Sequence, residues 1–227
     1  MVTFHLRLFI ADTSGFGPIS VLTMAPVYKL MYFPVKGIAE PIRFLLSYGN
    51  IEFEDHRFER ENWPQIKPTT PFGQAPVLEF GGVKAYQSIA ICRYLAKQVK
   101  LMGANDIEDL EIDAIIDTIA DLRTKIAVYY KETDPTIKET RKKPLLEETI
   151  PYYMERIEAI AKKNNCHLAA GKLTWADVYF VASLDALNFL SGTNLIADCP
   201  SLQVMQDNVL NLPGIKEWVA KRPVTDV

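Results

Sequence analysis

The feature that most constrains this chain is a change of hydrophobic period near Gly103. Up to that point strand-like and helix-like segments alternate; beyond it only helical spacing remains. Val27 to Phe33 is β-rich, and after a Pro34 to Gly37 loop the segment Ala39 to Tyr48 places Ile42, Leu45 and Leu46 on one face, with Pro41 near its start and Gly49 at its end. Glu52 to Phe58 reads as a second strand, which makes a β-α-β unit. A polar loop around Trp63 and Pro64 follows, then a short strand Val77 to Phe80, a Gly81-Gly82 turn, a strand Lys84 to Tyr86 and a helix from Ser88 to about Gln98. Past Gly103, Ile112, Ile115, Ile116, Ile119 and Leu122 recur at helical spacing, as do Leu145, Tyr152, Ile157 and Ile160. Thr174-Trp175-Ala176-Asp177 is a capping box with Leu173 and Val178 as its staple, and Pro200 and Pro213 open two last helices. The expected organisation is a compact α/β domain over 27–103 followed by an all-α domain over 104–227.

Residues 1–26 have no clear period and contain Gly15, Gly17 and Pro18, so they read as a leader of unknown role, expected to be disordered and outside the fold. Asp12, Ser14 and Gly15 interrupt any apolar run of secretory type, and a second methionine, Met24, stands just before the first strand. At 227 residues with 25 Lys and Arg against 28 Asp and Glu, the formal charge of -3 offers no basic field for a phosphate backbone, so nucleic acid is not an expected partner. With 48% hydrophobic residues and no long uninterrupted apolar run, neither disorder nor membrane insertion is expected. Cys92, Cys166 and Cys199 lie far apart with no ligand spacing, which favours simple packing over a disulfide or a structural metal site.

No P-loop, GxGxxG, HExxH or GxSxG occurs, and the histidines, His5, His56 and His167, have no evident catalytic partner; His56 reads as a polar strand residue. What remains is Pro76, which opens a central strand where a lost N–H is awkward. A cis Ala75-Pro76 bond is expected there, turning the backbone of Ala75 outward to pair with an extended peptide; a plain trans strand start is the alternative. Gln87-Ser88 stands at a helix N-terminus, where free N–H groups favour a carboxylate, although Ser88 as a simple cap needs no ligand. Asp113, Asp117 and Asp121 form an acidic stripe opposite the isoleucines, a solvated face by default.

Taken in order along 25–227, Tyr32, the run Trp63 to Lys67, the run Pro71 to Pro76, Gln87-Ser88 and the box ending at Asp177 resemble glutathione transferases, and more narrowly the sigma class with its insect members, cockroach-type allergen transferases among them. The resemblance implies a thioredoxin-like N-terminal domain that binds glutathione as co-substrate, an all-helical C-terminal domain that completes an electrophile pocket, and a cytoplasmic homodimer that needs no metal. An acidic residue of a related sigma enzyme is replaced here by Ala120. By position, Tyr32 is the catalytic hydroxyl, and Trp63, Lys67, Gln74, Ala75, Pro76, Gln87 and Ser88 hold glutathione, with Asp121 reaching the neighbouring subunit's glutathione. A free thiol titrates near ~8.5, so a hydroxyl donating to the sulfur favours the thiolate. The electrophile pocket includes Phe33, Val35, Ile38, Arg123, Val128, Tyr179 and Ser183, an apolar wall with one cation and two hydroxyls. That composition points to small apolar electrophiles such as unsaturated aldehydes from lipid peroxidation. Vertebrate prostaglandin D synthases of this class carry an arginine at the position of Ile38 and a tryptophan at that of Val128, which speaks against prostaglandin isomerisation. A crystallin-like or ligand-carrying protein, using the cleft without catalysis, is a further alternative.

Overall fold

A computed structural model describes residues 28–225, so the leader lies outside the described residues. In the α/β half, β1 (Tyr28–Tyr32) pairs in parallel with β2 (Phe53–Arg57), and parallel neighbours need a crossover, which α1 (Glu40–Tyr48) supplies. After α2 (Trp63–Ile66), a single turn with Pro64 early in it, comes β3 (Val77–Phe80), antiparallel to β1 with Leu78 opposite Leu30. The hairpin to β4 (Val83–Tyr86) turns on Gly81 and Gly82, whose φ values of 52° and 78° suit glycine. Helix α3 (Ser88–Gln98) closes this half, and the strand order is β2-β1-β3-β4. Leu30 and Leu78 lie fully buried in the middle of the sheet.

The helical half begins with α4 (Asp106–Tyr130), capped by Asn105, whose side-chain oxygen accepts from the N–H groups of Ile107 and Glu108 at 3.0 and 3.1 Å. Its isoleucine face is buried as the period requires. Helix α5 (Pro135–Pro144) runs through a π-helical turn (Leu145–Thr149) into α6 (Ile150–Lys163). Helix α7 (Trp175–Ser191) is the core of the half: α4, α1 and α8 (Pro200–Leu210) pack on it, and α9 (Pro213–Lys221) returns to lie on α1. The box at its start is present, with the Asp177 carboxylate accepting from the N–H of Thr174 at 2.8 Å and of Leu168 at 2.7 Å.

One expectation needs correction, and another holds for a reason of its own. Tyr152 is exposed rather than on the buried face, because the buried row of α6 is Ile150, Met154, Ile157 and Ala161, and Tyr152 falls between its members; its ring stacks under the Arg156 guanidinium at 3.6 Å instead. Gly49 does end α1, but with φ −77°, while Asn50 takes the left-handed conformation at φ 49°. Glycine is required at 49 for space, since a Cβ there would collide with Cγ1 of Val99.

Candidate active site

Tyr32 ends β1, so its side chain is delivered at the C-terminal edge of the sheet, where the chain turns through 33–36 into α1. It is buried, and the backbone N–H of Ile38 donates to its oxygen. Gly37, with φ 45°, makes that approach possible: a Cβ at 37 would lie 2.8 Å from the Tyr32 hydroxyl. Burial raises the phenol above the ordinary tyrosine range, while the Ile38 hydrogen bond and the guanidinium groups of Arg43, Arg123 and Arg60 pull the other way. The outcome is a phenol that keeps its proton at neutral pH, its oxygen already accepting one bond and its own O–H available to donate.

An aromatic stack links this hydroxyl to the next loop. Phe33 sits edge-on to Tyr32 at 5.5 Å and against Phe58 at 4.8 Å, and Trp63 stacks flat on Phe58 at 5.6 Å, which fixes the indole beside the sheet edge. Trp63 then lines a cavity of about 470 Å³ together with Gln74, Ala75, Pro76, Gln87 and Ser88. The Ala75-Pro76 peptide bond is cis. Gln87 holds φ 68° at the N-cap of α3, a conformation that costs a non-glycine residue energy and that here aims Gln87 and Ser88 at one cavity. Lys67 is exposed outside that lining, with its Cε 3.0 Å from where a Cβ of Gly73 would stand, so it lies along the cavity's rim. Asp121 lines neither this cavity nor the next and faces outward from α4.

A second cavity of about 420 Å³ opens on Tyr32 between the two halves and shares Phe33, Ile38 and Arg123 with the first. Val35, Tyr179 and Ser183 line it as well. Val128 does not: it is 52% exposed, and the residues of α4 that do line the cavity after Arg123 are Ala127, Tyr130 and Lys131. Four and seven residues on from Arg123 is the same helix face, whereas five residues on is turned well away. The same helical arithmetic, applied to the sequence, finds Ala127 and Tyr130. Arg60 was missed for another reason: it sits in a loop with no periodicity, and only the fold brings it over the Phe33 ring at 5.5 Å. Among the described residues the second cavity is therefore lined by three cations, Arg60, Arg123 and Lys131, and no carboxylate. Nε of Arg123 is buried without a hydrogen-bond partner among the described residues.

Among the described residues no group of three or more His, Cys, Asp or Glu could hold a metal ion, and no helix is long and apolar enough to cross a membrane. Burial pushes the Cys199 thiol up to about 11 and that of Cys92 higher still, so neither is a ready nucleophile at neutral pH.

Comparison with known proteins agrees with this layout. Residues 27–97 match the glutathione S-transferase N-terminal domain, and residues 120–222 match the C-terminal domain. The chain is 52% identical to a glutathione S-transferase of Anopheles gambiae over 89% of this chain and all of that one. It is 50% identical to glutathione S-transferase S1 of Drosophila melanogaster, over 88% of this chain and 80% of the relative. The solved structure of prostaglandin synthase D of Nilaparvata lugens superposes with a TM-score of 0.84 at 46% identity, covering 88% of this chain and 100% of that one. With a thioredoxin-like half, a helical half and both domain matches in register, the chain belongs to the glutathione S-transferase family.

Proposed function

We propose that this protein is a sigma-class glutathione transferase that adds the glutathione thiolate to small apolar electrophiles, unsaturated lipid-peroxidation aldehydes among them, with peroxide reduction as a second activity of the same site. The observation that carries this reading is the Tyr32 hydroxyl, which faces a mostly apolar cavity and whose lining residues Phe33, Ile38 and Arg123 also line the polar cavity at the sheet edge. The tripeptide lies in that polar cavity: Ala75 pairs with its cysteinyl backbone, Gln87 and Ser88 take the γ-glutamyl carboxylate at the start of α3, and Trp63 and Lys67 take the glycine carboxylate. Its sulfur then meets the Tyr32 O–H, which donates to the thiolate and keeps its own proton. With an enal, the sulfur electron pair forms the C–S bond at the β-carbon, the C=C pair moves toward the carbonyl, and the resulting enolate takes a proton from water. No leaving group departs. The polar ends of glutathione fix the nucleophile, and the apolar wall brings the electrophile within reach, so much of the rate arises from proximity.

A homodimer in the cytoplasm is part of the proposal. Phe72 supports it: the ring is 80% exposed beside the polar cavity, is held at φ 52°, and leans on Tyr86 at the edge of the sheet, with ring centroids 5.2 Å apart. An aromatic group held out in this way is suited to a socket on a second copy, and Asp121, on an outward face of α4, then approaches the neighbour's glutathione.

The three cations of the second cavity favour one further reading, the isomerisation of an acidic prostaglandin endoperoxide, although Ile38 and Val128 stand where the vertebrate enzymes carry their arginine and tryptophan. The test is to run chlorodinitrobenzene, an unsaturated aldehyde and a prostaglandin endoperoxide in parallel with purified protein, with glutathione binding followed by calorimetry. Turnover of the first two ahead of the third is expected. Glutathione binding without any turnover replaces the reading with a carrier or crystallin-like role.

A further inference from the structure

The loop that delivers Tyr32 is enclosed by a ring of charged groups running from the sheet to the C-terminus. Arg43, fully buried on α1, donates from Nη1 to the carbonyls of Val35 and Lys36 at 3.0 and 3.2 Å and to Oε2 of Glu40 at 3.0 Å. Glu40, also fully buried, accepts at Oε1 from Nε1 of Trp218 at 2.8 Å and from Nη1 of Arg222 at 2.9 Å. The other branch of the Arg222 fork reaches Oδ2 of Asp185 at 2.8 Å, and Nζ of Lys36 meets the same oxygen at 3.0 Å. The ring thus closes on Lys36, whose backbone is held by Arg43 and whose side chain is held by Asp185. One residue further on is Gly37, and the next, Ile38, supplies the N–H that donates to the Tyr32 oxygen.

Buried ion pairs are weak evidence for stability, because well-packed apolar groups of the same volume usually serve as well. This ring has another consequence, since it fixes the one loop whose backbone meets the reacting hydroxyl. We propose that Arg222 and Glu40 are positioning residues for the Tyr32 site: by holding Arg43 on the carbonyls of Val35 and Lys36 they keep the Ile38 N–H on the Tyr32 oxygen, and so set how strongly a thiol bound there is ionised. The inference rests on the transferase reading. The cations facing Tyr32 are Arg43 from α1, Arg123 from α4 and Arg60 from the loop after β2, with the uncharged phenol of Tyr179 on α7 across the same cavity. Facing Arg43 are Glu40 on its own helix and Asp55 on β2, whose Oδ1 accepts from its Nε at 2.9 Å and whose other oxygen pairs with Arg57; facing Glu40 are Arg43 and Arg222, and facing Asp185 are Lys36 and Arg222. Without the charge of Arg222, Glu40 has Arg43 as its one cationic partner among the described residues and draws it away from the loop carbonyls. The positive field at Tyr32 then weakens and the bound thiol becomes harder to ionise.

The experiment measures the pKa of enzyme-bound glutathione from its ultraviolet thiolate absorbance, and the pH midpoint of kcat/KM with chlorodinitrobenzene, in the full-length wild type, Arg222→Gln and Arg222→Lys, with Tm alongside. Arg222→Gln is expected to raise both midpoints by about one unit, the size of effect a nearby charge exerts on a titrating group. Arg222→Lys is expected to restore most of the shift. Asp185→Asn serves as a second variant, and also covers the case in which Arg222→Gln does not fold. Removing a negative charge by itself lowers the midpoint, whereas loosening the grip on Lys36 and Arg222 raises it, and the rise is the expected result. A lower Tm with unmoved midpoints, equal shifts in Arg222→Gln and Arg222→Lys, or a fall in Asp185→Asn overturns the inference. A wild type that does not ionise bound glutathione overturns the transferase reading beneath it.

Discussion

At the scale of single residues, Gly37 is as specific to the site as Tyr32. Its φ of 45° and the absence of a Cβ are what let the backbone close on the phenol. Gly37→Ala is expected to cost about 1 kcal/mol of stability from the left-handed backbone, and to lower kcat/KM by tenfold or more because the new methyl group displaces the Tyr32 hydroxyl. Thermal denaturation together with steady-state kinetics checks both halves of that statement. Ala75, Gln87 and Ser88 stand at places with a local signature, a proline-opened strand and a helix start, whereas Tyr32 by itself reads as an ordinary strand-end aromatic and is singled out only through the family resemblance. Arg60 has no such signature, and only the approach of the two halves turns it toward the cavity that the Arg123, Ala127 and Lys131 face of α4 lines. Val128 fell one residue outside the row that faces it.

Elements were read most securely where a period ran long or a cap stood clear. The isoleucine row of α4 is buried as its spacing demands, and the box at the start of α7 forms around Asp177. That carboxylate is fully buried and satisfies two backbone donors, Thr174 and Leu168, the second from a loop outside the helix. Asp177→Ala leaves both N–H groups buried and unpaired, so a loss of about 2–4 kcal/mol is expected, measurable by urea denaturation. The proposed glutathione contacts lie mainly in the α/β half and none involves Asp177, so affinity for it in the folded variant is expected to stay within about threefold. Tyr152 shows where periodicity misleads: it belongs to the right helix but not to its buried row. Gly49 shows where a correct helix end rests on a different cause, since contact with Val99, not a left-handed cap, demands the glycine.

At the scale of the whole molecule the two halves are joined by contacts that no local pattern announces. Glu40 finds Trp218 and Arg222 at sequence separations of 178 and 182 residues, so these partners become visible only once α9 is laid on α1. Burial also acts on the phenols: it raises Tyr28 and Tyr32 and, as the first cause, lifts Tyr179 to about 12. Above pH ~10, where an unfolded tyrosine loses its proton, the folded chain retains these protons longer. The native state then binds more protons than the unfolded one, so stability is expected to fall as pH rises from about 10 toward 12, with no contribution from these groups below that window. Denaturant midpoints across the range check the sign. The central claim, that this cleft uses Tyr32 to ionise glutathione and direct it at an electrophile, is tested most directly by chlorodinitrobenzene conjugation in wild type and Tyr32→Phe, with glutathione affinity measured by calorimetry on both. The account predicts that affinity stays within about threefold while kcat/KM falls by about 10²-fold, as for removal of one donor aimed at a developing anion. Equal conjugation rates in the two proteins contradict it.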